Sequence, residues 1–87
     1  MTHVAEFSLT YSAVEDAVRV EGAIRPEVGD IAGDRTRVRL ERDGPTLTIT
    51  VEADDLVALR AGLNTWLSLA EVAERASGAA SAAQRTE

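Results

Sequence analysis

Arg35-Thr36-Arg37-Val38-Arg39-Leu40-Glu41-Arg42, then Asp43-Gly44-Pro45, then Thr46-Leu47-Thr48-Ile49-Thr50-Val51-Glu52-Ala53 carries the clearest structural signal in the chain. Apolar and polar residues alternate in both halves, and a period of two sends successive side chains to opposite faces of a strand. Val38 and Leu40 share one face of the first run, with Arg35, Arg37, Arg39 and Glu41 on the other. The intervening Asp-Gly-Pro is turn chemistry, so the two runs read as a β-hairpin.

Upstream of the hairpin, residues 2–10 also alternate: Ala5, Phe7 and Leu9 point one way, Glu6, Ser8 and Thr10 the other. The period then changes. Ser12-Ala13-Val14-Glu15 has the form of a capping box, in which the Ser12 hydroxyl accepts from the Glu15 amide and the Glu15 carboxylate returns to the Ser12 amide. Val14, Ala17, Val18 and Ile24 follow at helical spacing, and Pro26 stops the helix near Arg25 because it offers no amide hydrogen. Residues 26–34, with Gly29 and Gly33, read as a loop. Downstream, Asp54 or Asp55 caps a long helix reaching about Ala76, roughly 33 Å at 1.5 Å per residue. Its main stripe is Leu56, Leu59, Leu63, Trp66, Leu67, Ala70 and Ala73.

The order is β-α-β-β-α. A right-handed crossover through the first helix makes strands 1 and 2 parallel and leaves room for strand 3 between them, antiparallel to both. The expectation is a two-layer α+β domain over residues 1–76: a three-stranded antiparallel sheet of order 1-3-2, covered on its apolar face by both helices. Residues 77–87 are low in complexity, hold nothing large to bury, and read as a disordered tail.

Composition narrows the function. The chain has 87 residues and no cysteine, which removes disulfides, thiolate nucleophiles and Cys-ligated metals together. Its one histidine, His3, has no partner ligand, so neither a metal nor a cofactor is expected. Asp54-Asp55 is the only adjacent carboxylate pair, and a helix N-terminus explains it better than acid–base catalysis does. The serines lack a histidine, and the glycines form no phosphate-cradling loop. No active site is expected. No apolar run is long enough to span a bilayer, and no basic-then-apolar leader opens the chain, so a soluble, cytoplasmic protein without membrane contact is expected. A net charge of −6 speaks against a free-standing nucleic-acid binder.

Two features exceed the needs of a self-contained domain. The long helix has a second face, Ala58, Ala61, Gly62, Thr65, Leu69 and Val72, whose small and apolar residues suit close approach by another protein. Gly62 adds to this, since glycine inside a helix costs about 0.5–1 kcal/mol relative to alanine and calls for a packing gain in return. The second feature is Arg35, Arg37, Arg39 and Arg42 crowded on one strand of an acidic chain. Charged residues on an edge strand discourage aggregation, and cross-strand pairing with Glu6, Glu41 or Glu52 is another ordinary role. Arginine also suits phosphate, so Arg35, Arg37 and Arg39 are the candidate nucleic-acid contacts.

Asp34-Arg35-Thr36-Arg37-Val38 on strand 2 and the run from Glu52 to Leu67, with Asp54-Asp55, Leu59-Arg60 and Asn64 in that spacing, resemble the Pcc family. These are the small dimerising subunits of the KEOPS complex of archaea and eukaryotes, and the archaeal type is the nearer match. The resemblance covers about residues 3–75 and implies the same β-α-β-β-α topology. It further implies a non-catalytic subunit of the machine that makes threonylcarbamoyladenosine in tRNAs reading ANN codons. Its partners would be a second copy or a paralog, the catalytic threonylcarbamoyl transferase, and tRNA only within the assembly. By position, Leu59, Arg60, Leu63, Asn64 and Leu67 fall at or beside those contacts. The absence of lysine and the acidic balance depart from many archaeal members and weaken any tRNA grip by the subunit alone. Two competing readings are an autonomous KH-like RNA- or DNA-binding module, although the GxxG loop is missing, and an enzyme working through Asp54 and Asp55.

Overall fold

The computed structural model describes residues 2–28 and 36–78, and the backbone of residues 83–86. The elements are β1 (His3–Thr10), α1 (Val14–Ile24) with a 3-10 turn at Arg25–Glu27, β2 (Thr36–Asp43), β3 (Thr46–Ala53), α2 (Leu56–Ser77) and β4 (Ala83–Thr86). The sheet runs β2-β3-β1-β4, and every neighbouring pair is antiparallel. The order 1-3-2 read from the sequence is present, with β3 between the other two strands. It gains a fourth member where β4 pairs with Phe7–Thr10 of β1, inside the segment read from the sequence as a tail; residues 79–82 and 87 of that tail lie outside the described residues.

Register follows from the alternation. Phe7, Leu9, Leu47, Ile49, Val51, Ala53 and Leu40 are buried under the helices. The opposite face carries cross-strand hydroxyl pairs, Ser8 with Thr48 at 3.2 Å and Thr10 with Thr46 at 3.1 Å, and Thr50 donates to Glu6 at 3.3 Å. The phase of the ladder is set by the Tyr11 amide, which donates to the Pro45 carbonyl at 2.9 Å. Antiparallel bonding alternates, so the odd residues of β1 exchange bonds with β3 and the even ones turn their backbone groups to the far edge. In the hairpin Asp43 pairs with Thr46 across Gly44-Pro45, and by the same alternation Thr36, Val38, Leu40 and Arg42 of β2 turn theirs outward.

Both helices start and pack somewhat differently from the sequence pattern. The capping box at Ser12–Glu15 does not form: the N-cap is Ala13, one residue later, and no side chain caps it. α1 buries Ala17, Val20 and Ile24, while Val14 and Val18 stay exposed. In α2 the cap is Asp55, whose Oδ1 accepts from the Ala58 amide at 2.8 Å. Leu56, placed on the main stripe by its spacing, is 59% exposed because it lies in the first turn, beyond the core. Trp66, Ala70 and Ala73 are buried as the stripe requires. Gly78 ends the helix with φ +76°, a left-handed conformation that side chains with a Cβ rarely adopt.

Two contacts fix how α2 sits. A Cβ on Gly62 would lie 3.0 Å from Cγ1 of Val51, which is itself fully buried. The glycine therefore serves the close approach of α2 to β3, and the partner suggested for it by the sequence is not needed to explain it. At the other end of the helix, the Tyr11 hydroxyl donates to Oε2 of Glu74 at 2.7 Å in a buried bond. Burial, that bond and the charge of Glu74 push the Tyr11 phenol far above its ordinary value.

Two outcomes are expected. Gly62→Ala will lower the urea midpoint despite a helix-propensity gain of about 1 kcal/mol, and in a Val51→Ala background the same substitution will become stabilising. Tyr11, the only tyrosine in the chain, binds its proton more tightly folded than unfolded. Stability is thus unaffected by this group below pH 10 and falls as pH rises beyond its unfolded value of 10.0. Tyrosinate absorbance will appear only together with loss of circular dichroism, and Tyr11→Phe will flatten that alkaline limb.

Candidate interaction surface

The flank of α2 that leans over β2 is lined by Ala58, Ala61, Thr65, Leu69 and Val72, residues that recur every three or four positions and so share one side of the helix. Ala61 and Thr65 are exposed, Ala58 and Leu69 half-buried, and Val72 is 53% exposed. Two shallow hollows mark this flank. One is bounded by Thr36, Ala58, Ala61, Gly62, Thr65 and Trp66, the other by Asn64, Thr65, Ser68, Leu69 and Val72. Thr36 is the first residue of β2, so the start of that strand borders the helix flank at the first hollow. Among the described residues β2 pairs only with β3.

The remaining positions singled out from the sequence separate into distinct environments. Leu59 is in the core at 9% exposure. Leu63 and Leu67 are half-buried and pack against that core. Arg60 and Asn64, one turn apart, are both exposed on the side of the helix away from the sheet, with Val57 at 79% exposure close by. Sequence reasoning missed the contribution of the β2 backbone. Alternation was sufficient to expose Val38 and Leu40 as inward-facing, and the same parity sends their amides and carbonyls to the open edge.

The arginines do not form one cluster. Arg35 lies outside the described residues. Arg37 and Arg39 share the open face of the sheet, and each already faces acid: Arg37 to Glu52 at 3.3 Å and Asp54 at 3.7 Å, Arg39 to Glu52 at 3.9 Å. Arg42 has the other parity and turns to the helix layer, where its Nε donates to Glu21 at 2.8 Å. Arg25 donates to the second Glu21 oxygen. Asp54 and Asp55 likewise have different tasks, the first beside Arg37 and the second capping α2. Among the described residues no group of three or more His, Cys, Asp or Glu could hold a metal ion, and no helix is long and apolar enough to cross a membrane.

The bonds from Arg25 and then Arg42 hold the Glu21 carboxyl below its ordinary value. Such a group stabilises the fold above its unfolded value of 4.5, and the effect is lost as pH falls through the lower folded value. Glu21→Gln should therefore cost up to about 1 kcal/mol near neutrality and almost nothing in strong acid, read from urea curves at the two pH values.

The family model described as transcription factor Pcc1 matches residues 4–77, a span from β1 through the end of α2. No curated protein matches the chain.

Proposed function

From a chain that belongs to the transcription factor Pcc1 family, we propose a non-catalytic scaffold subunit of a KEOPS-type complex that dimerises and holds the threonylcarbamoyl transferase. In this reading it supports threonylcarbamoyladenosine formation in tRNAs that read ANN codons, in the cytoplasm, and requires no cofactor. The mate is a second copy of the chain, with a paralog as the alternative.

The observation that carries the proposal is that the exposed flank of α2 borders the start of β2, a strand that among the described residues pairs only with β3. Unpaired strand edges add strands, and an exposed row of small and apolar residues is costly to leave in water. A two-fold axis beside β2 lets two such edges pair antiparallel, while Ala61, Thr65 and Val72 of each helix meet their equivalents across it. Both kinds of surface are thereby satisfied in one contact. Arg60 and Val57, on the outer side of α2, remain free for the transferase, while Asn64, on the rim of the second hollow, borders the dimer contact. Contact of Arg37 and Arg39 with tRNA requires their release from Glu52 and Asp54, which favours recruitment inside the assembly over binding by the isolated subunit.

Light scattering on the purified chain should give about twice its 9.3 kDa mass. Val72→Asp and Ala61→Arg, at positions exposed in the single chain, should reduce it to the monomer with unchanged circular dichroism. A wild-type monomer at high concentration, or variants that associate as wild type does, would overturn the proposed dimer surface.

A further inference from the structure

The other edge of the sheet has a feature that the scaffold role does not use. The backbone groups of Val4, Glu6, Ser8 and Thr10 turn away from β3, as the Tyr11–Pro45 bond dictates. Alone they would be a second strand-accepting edge. β4 lies along Phe7–Thr10 of it, with Arg85 opposite Ser8 and Ala83 opposite Thr10.

We infer that the C-terminal segment Ala83–Thr86 is a built-in cover of the β1 edge, which keeps that edge from accepting a strand of another chain. The inference concerns β1 alone and stands whether β2 pairs with a copy, with a paralog or with nothing.

Three observations support it. The first is the tether. Glu74, in the last turns of α2, is bonded to Tyr11 just beyond the end of β1, and β4 begins opposite Thr10 at that same end. Only residues 79–82 separate Gly78 from Ala83, and a tether this short makes the chain's own segment a far better competitor than a free strand in solution. The second is composition. Ala83-Gln84-Arg85-Thr86 contains no large apolar residue, so its role at the edge rests on main-chain pairing rather than on completing the core. The third is that Phe7 is 2% exposed and Leu9 fully buried, so what β1 leaves open on this side is its backbone.

The consequence is a limit on assembly. A sheet with two strand-accepting edges can extend without end, whereas one with a single such edge closes as a pair. By occupying Phe7–Thr10, β4 shifts the sheet from the first kind toward the second.

The ladder makes the test specific. Ala83 and Arg85 sit opposite Thr10 and Ser8, whose groups face outward, so the Arg85 amide points at β1 and the Gln84 amide away from it. Proline at position 85 removes a ladder donor, and proline at position 84 does not. The full chain, a chain ending at Gly78, Arg85→Pro and Gln84→Pro are compared by light scattering over a concentration series and by amide exchange at Ser8 and Thr10. The truncated chain and Arg85→Pro should exchange faster at those amides and add species of roughly twice the full chain's mass or more. Gln84→Pro should match the full chain in both. Should truncation prevent folding, the comparison of the two prolines carries the test. Unchanged exchange, faster exchange with unchanged mass, or equal effects of the two prolines would each overturn the inference. A monomeric full chain that associates on truncation would support it while removing the dimer proposed above.

Discussion

The structure depends on how closely α2 lies against β3. With no Cβ at position 62, the helix settles until its backbone side meets Val51, and Trp66 one turn later is sealed over the sheet at 1% exposure. A bulkier residue at Gly62 would lift the helix and loosen the packing around Trp66. The same closeness brings the α2 flank level with Thr36 on β2, so that a helix side and a strand edge become one surface. A residue whose reason is entirely internal thus shapes what a second protein would meet. The Tyr11–Glu74 bond secures the far end of the helix and so fixes where the chain leaves it. Packing at one end and a buried polar bond at the other give α2 a defined tilt as well as a defined depth.

Charge in this chain is organised locally. An excess of acid over base gives −6, yet Arg37 and Arg39 are matched by Glu52 and Asp54 on one face, and Arg25 and Arg42 by Glu21 on the other. Surface pairs of this kind contribute little energy each, so their importance lies in what they occupy. A phosphate approaching the open face meets arginines already facing carboxylates. The acidic field around them further raises the cost of binding a polyanion, an effect that weakens with salt.

The strands were legible in the sequence because a two-residue period leaves little freedom: the parity of Val38 and Leu40, Leu47 to Val51, and Phe7 and Leu9 fixes faces and, once the turn is known, register. Helix phase was less legible. Ser12 and Glu15 have the right spacing for a capping box, but the N-cap is Ala13, and which face is buried, that of Val20 and not Val18, is set by how α1 docks. Gly62 was legible as an anomaly without its cause, because the closeness of Val51 is a tertiary fact. Arg42 seemed to join its neighbours by proximity in sequence, while strand parity sends it to the helix layer. β4 gave no signal at all. An edge strand held by its backbone needs no apolar alternation, and alternation is what pattern reading detects.

The two edges of the sheet also explain why so small a chain would carry both an inviting surface and a protected one. A domain of this length buries only about 60–65% of its unfolded surface, so helices long enough to build the core inevitably present a side that the core cannot use. Association can cover that side, but association through strands is self-propagating unless one edge is withdrawn. In the proposed dimer one contact would cover both the β2 edge and the flank of α2, and β4 across the sheet would keep that contact from repeating. The specificity of such an assembly would come less from any strong side-chain anchor than from the asymmetry between β1 and β2.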